Sequence, residues 1–122
     1  MTKEINVLVL AYLGDTIYED YVREYLIKKG IANVNDLQTE SIKYSSAKAQ
    51  SEIVKTLINE NVFTDEELSI IKRARNHKSN THPKNCDIIT YKYATGLEAL
   101  IGYLKLENKE DRIIKIMESI LK

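Results

Sequence analysis

The sequence predicts an all-α fold, and three observations carry that reading. The 122 residues include one Pro and four Gly, too few for a turn-rich β architecture. Apolar residues recur at helical spacing along most of the chain. The 43% hydrophobic and 30% charged residues suit a globular chain with one core. Together they predict a single domain over residues 1–122 with about five or six helices.

The first helix is expected from about Glu4 to Lys29, stopped by Gly30. At about 100° per residue, Leu10, Gly14, Ile17, Tyr18, Tyr21, Val22 and Tyr25 form one apolar arc, opposite Thr16, Asp20, Arg23 and Glu24. Packing explains the tyrosines of that arc. Asp15 falls at its edge beside Leu8, Ala11 and Val22, out of pattern for a carboxylate. A second helix is expected from Asp36 to Asn59, but its middle, Ser45 to Ser51, is small and polar. Either another element packs closely there or the helix breaks. Thr64 opens a third helix with Glu67 three residues on, a reciprocal capping box. Asn76 to Asp87, containing the one Pro, reads as a loop, and a fourth helix follows from Ile88 to Leu106. Asn108, three residues before Asp111, is expected to cap an amphipathic last helix carrying Ile113, Ile116, Met117 and Ile120.

Several function classes are excluded early. The longest apolar run, Val7 to Leu13, is too short to cross a bilayer, and no basic leader with a small-residue cleavage site precedes it. With Cys86 the one cysteine, no intramolecular disulfide or Cys-based zinc cluster forms, and a cytoplasmic location is expected. His77, His82 and Cys86 match no standard zinc spacing. No Gly-rich phosphate loop supports nucleoside triphosphate chemistry.

Two features point to chemistry. Glu98 is the one charge between Tyr93 and Leu104, with Ala94 and Gly102 one turn away, so it must find a partner or become protonated. Asp15 and Glu98, each near a Gly, would together suit a divalent cation if they face one another. A buried salt bridge or a hydrogen-bonded bend at Gly14 is the alternative. The second feature is charge asymmetry. Lys72, Arg73, Arg75, Lys78, Lys84 and Lys92 stand against one acid, Asp87, so this stretch has five positive charges in excess while the whole chain is neutral. Such a segment suits a phosphate backbone, with Ser79, Asn80, Thr81 and Asn85 as hydrogen-bonding partners, although a solvated helix terminus explains it equally well.

Leu10-Ala11-Tyr12-Leu13-Gly14-Asp15, followed by Ile17-Tyr18-Glu19, resembles the signature helix of the ribonuclease III family, and Gly96-Leu97-Glu98-Ala99-Leu100-Ile101-Gly102 resembles its second acidic motif. Ser46-Ala47-Lys48-Ala49-Gln50, Arg73-Ala74-Arg75-Asn76, Lys78-Ser79 and Pro83-Lys84-Asn85 resemble the Mini-ribonuclease III branch. The ordered set spans roughly Val7 to Leu106. The resemblance implies a homodimeric, all-α, Mg2+-dependent endoribonuclease that cuts double-stranded RNA to 5′-phosphate and 3′-hydroxyl ends, without a separate duplex-RNA-binding domain. It also implies a substrate among large-subunit (23S) ribosomal RNA precursors, with a ribosomal protein as a helper. By position, Asp15 and Glu98 match the catalytic metal-binding acids; Arg73, Arg75, Asn76, Lys78, Lys84 and Lys48 are then expected to hold the RNA. The wider family has glutamates where this chain has Leu8 and Ala11, and an aspartate where it has Thr95; Asp87 or Glu19 would be the acids to assist. Within the branch, Ala74 stands for a usual Gly and His77 for a usual Ala. The alternative is a catalytically degenerate duplex-RNA-binding or ribosome-associated module, which would bind RNA without metal and never cut it.

Overall fold

The computed structural model describes residues 2–78 and 82–122, which hold six α-helices and no strand. Ser79, Asn80 and Thr81 of the basic loop lie outside the described residues. Local chemistry sets most helix ends. The side-chain oxygen of Asn6 accepts the Leu8 amide at 2.7 Å, so α1 (Val7–Lys28) begins there, and Thr2–Glu4 form a short 3-10 turn instead of its first residues. Gly30 ends the helix at φ +99°, a conformation that costs glycine little.

The expected second helix is two. Ser46 adopts an extended backbone between α2 (Val34–Ser45) and α3 (Ala47–Asn59), and its hydroxyl accepts the Ala49 amide at 3.1 Å. The small polar stretch is therefore a break whose own serine caps α3. Thr64 caps α4 (Asp65–Arg75) with the expected reciprocal bonds to Glu67. Glu67 is buried and accepts two 2.8 Å bonds from Arg112 on α6 (Glu110–Ile120), tying the two helices together. Asp87 caps α5 (Ile88–Leu106) by accepting the Thr90 amide at 2.9 Å. The expectation for Asn108 fails. It takes φ 58° and donates its amide to the Lys105 carbonyl, closing α5, and Lys109 stands at the start of α6 with no side-chain cap.

The core is organised around α5. From Ala94 to Leu104 every residue but Glu98 is buried, because α1, α3 and α4 surround the helix and α6 covers its end. Leu97, Leu100, Ile101 and Leu104 meet Leu10, Val22, Val54, Ile70, Ile113 and Ile116 in one cluster. Each fully buried aliphatic side chain contributes roughly 1.5–3 kcal/mol. A helix buried on all sides reads as nearly continuous apolar sequence. Its one half-buried carboxylate is thereby conspicuous.

Candidate active site between α1 and α5

The two anomalous acids meet because the helices that carry them touch backbone to backbone. A Cβ on Gly14 would overlap the carbonyl of Glu98, and one on Gly102 would overlap the carbonyl of Leu10. The glycines beside each acid therefore do more than leave Glu98 uncovered. They remove the side chains that would hold α1 and α5 apart, and Asp15, next to Gly14, comes to lie against Glu98.

The carboxyls of Asp15 and Glu98 are in hydrogen-bonding contact. Asp15 is exposed and Glu98 half-buried, so the pair opens to solvent at the seam of the two helices. Burial, the contact with Asp15 and the negative charges of Asp15 and Glu19 push the Glu98 carboxyl up from 4.5 to about 8, against a lowering by Gln50. No ion pair among the described residues includes either acid, which disfavours the salt-bridge alternative. Nor do the described residues bring three His, Cys, Asp or Glu together as a closed metal cage. Two oxygen donors, both anionic when ionised, one of them reluctant to ionise alone, fit a hard divalent cation that keeps much of its own water.

Surrounding residues divide into those that face this pair and those engaged elsewhere. Gln50, on α3, donates its amide to Glu98 Oε2 at 3.3 Å. Glu19 pairs with Arg23 at 3.2 Å, and Asp87 is occupied with Thr90, whose hydroxyl also bonds it at 2.9 Å. Thr95 donates its hydroxyl to the Tyr91 carbonyl at 2.9 Å. The Tyr18 hydroxyl is committed to the Tyr44 carbonyl at 2.6 Å.

The basic residues fall into separate groups. Arg73 and Asn76 line a hollow of about 400 Å³ with Asn6, Lys72 and His77, and Arg73 donates to the Ile5 carbonyl at 2.8 Å, tying α4 to the entry of α1. Lys48, on the first turn of α3, lines a cleft of about 480 Å³ with Ser46, Lys55, Pro83, Asn85 and Asp87, so the second half of the loop faces the start of α3. Arg75 approaches the Tyr93 hydroxyl at 3.5 Å, and Lys55 lies 4.7 Å from the centre of that ring. Lys78 and Lys84 are exposed. His82 Nδ1 bonds the Cys86 carbonyl at 2.6 Å, a contact within the loop. Sequence reasoning assigned no role to Gln50, Lys55 or Tyr93. The signals at hand were the small polar run around Gln50 and its place in the Ser46–Gln50 stretch of the resemblance.

The Ribonuclease III domain family matches residues 8–109. The chain is similar to a Mini-ribonuclease 3 of Brevibacillus brevis, 49% identical over 113 residues that cover 93% of this chain and 83% of the relative. It is also similar to a Mini-ribonuclease 3 of Staphylococcus aureus, 43% identical over 119 residues that cover 98% of this chain and 89% of the relative. A crystal structure of a Fusobacterium nucleatum protein superposes with a TM-score of 0.85 at 38% identity, covering 96% of this chain and 93% of that one.

Proposed function

The chain belongs to the ribonuclease III family and is an endoribonuclease of double-stranded RNA, and within that activity we propose that Asp15 and Glu98 hold Mg2+ at the reacting phosphodiester. The observation that carries this reading is two carboxyls from different helices in contact at the surface, with no ion-pair partner among the described residues. The family depends on divalent metal, and an open carboxylate pair suits Mg2+. When bound, that ion supplies Lewis-acid chemistry, activating water and offsetting charge at the leaving 3′ oxygen to give 5′-phosphate ends. Glu98 gives up its proton as the cation is taken up, because metal affinity favours the deprotonated ligand.

The remaining residues bind and orient the duplex. Arg75, Lys78, Lys84 and Lys48 are exposed cations suited to phosphates flanking the cut, and Asn76 and Arg73 add hydrogen-bond donors at the end of α4. A-form RNA is read through shape, 2′-hydroxyls and phosphates, which a small basic surface can do with little sequence reading. Two copies of the chain form the working unit. Leu8, Val9 and Tyr12, on the first turns of α1, are 41%, 56% and 83% exposed, an apolar surface that a second copy would cover. A twofold dimer sets one site against each strand. The substrate is a precursor of 23S ribosomal RNA in the cytoplasm, presented with a ribosomal protein. The Mini-branch residues support that extension, and no helix among the described residues is long and apolar enough to cross a membrane.

The test is incubation of the protein, and of Asp15→Asn, with a structured 23S precursor in Mg2+ or chelator. The expected result is discrete cuts in duplex regions that vanish with chelator and in the variant, whose fold is retained. Normal turnover by the variant would remove Asp15 from the mechanism, and cutting undiminished by chelator would remove the ion.

A further inference from the structure

The buried face of α3 carries a polar side chain that the proposed chemistry leaves unused. Gln50 is 3% exposed and sits one turn into the helix, its backbone amide bonded to the Ser46 carbonyl at 2.9 Å. The break at Ser46 therefore sets the direction in which Gln50 leaves α3. Its side-chain amide reaches across to α5 and donates to Glu98 Oε2 at 3.3 Å.

The chemistry of that donor matters. A buried amide must find a hydrogen-bond partner, so the contact is costly to break. A Lys or Arg in this position would neutralise Glu98 and compete with a cation for it. A glutamine amide holds an oxygen of the carboxylate without adding positive charge. Nearby, the Thr95 hydroxyl turns back to the Tyr91 carbonyl, and positions 8 and 11 are apolar and donate no side-chain hydrogen bond.

We propose that Gln50 is a positioning residue for the cation site, holding Glu98 Oε2 so that the carboxylate keeps one orientation beside Asp15 before a divalent ion arrives. The proposal rests on the reading of Asp15 and Glu98 as the pair that takes the ion. It assigns α3 two tasks, since Lys48, two residues earlier, lines the cleft that α3 shares with the loop, where Lys48 and Lys55 stand with Glu52 and Asp87.

The experiment measures Mn2+ binding from the paramagnetic resonance of the free ion, in the wild-type protein, Gln50→Met, Gln50→Asn and Asp15→Asn. Methionine keeps the length and fills the buried space but cannot donate, and asparagine keeps the amide one methylene too short. The expected result is Mn2+ affinity about tenfold weaker in both Gln50 variants. Duplex RNA binding in chelator should be unchanged, and cleavage should recover as Mg2+ is raised. Wild-type Mn2+ affinity in both Gln50 variants, with binding lost in Asp15→Asn, would overturn the role of Gln50 and leave the pair standing. Undiminished Mn2+ binding by Asp15→Asn would overturn the pair, and the role of Gln50 with it.

Discussion

Glu98 is the residue on which the site's behaviour turns. Its carboxyl is held at about 8 by burial and by Asp15, well above the 4.5 of an unconstrained glutamate. Between those values the folded protein binds a proton that the unfolded chain has released. Without metal, this group's contribution to stability is therefore fully present below about pH 4.5 and is lost as pH rises toward 8. Thermal unfolding in chelator should show stability falling across that window, and Glu98→Gln should flatten the slope. A divalent ion should also flatten it by favouring the ionised form. An unchanged slope in Glu98→Gln would assign the proton to another group. Asp15 and Glu98 were legible in the sequence because an acid inside an apolar helical pattern breaks the pattern. The role of Gln50 was not, because an amide in a run of serine, alanine and lysine breaks no apolar pattern and does not show which carboxylate it meets.

At the scale of elements, the site is a consequence of how closely α1 and α5 approach. Gly14 and Gly102 each abut a backbone carbonyl of the other helix, and a carbonyl cannot rotate away as a side chain can. Gly102→Ala should therefore separate the helices, costing about 1–3 kcal/mol of stability and weakening Mn2+ binding through acids it does not touch. Unfolding and ion titration of that variant together check this, and unaltered Mn2+ binding would show that the acids need no such contact. The helix ends were partly legible. Thr64 with Glu67 gave the start of α4 correctly, since reciprocal capping requires little beyond the local sequence. Asn108 misled because asparagine suits both an N-cap and a left-handed turn, and here it closes α5. The polar stretch around Ser46 left two outcomes open. The serine's own bond to Ala49 favours the break, and α3 still packs its buried face on α5.

Across the whole molecule, a formally neutral chain separates its charges, with excess cations from the end of α4 through the loop to α5. That asymmetry could be counted from the sequence. Its placement in the hollow at Arg73 and the Arg75–Tyr93 contact could not, because each joins residues from different helices. The acid pair is also a long-range product, set by the packing of the first helix on the fifth. The most direct test of its assignment is anomalous X-ray diffraction from crystals of the protein soaked in Mn2+. A manganese peak is expected at the carboxylates of Asp15 and Glu98, absent from crystals of Glu98→Gln. A peak held by other residues, with this pair left empty at saturating Mn2+, would contradict the assignment.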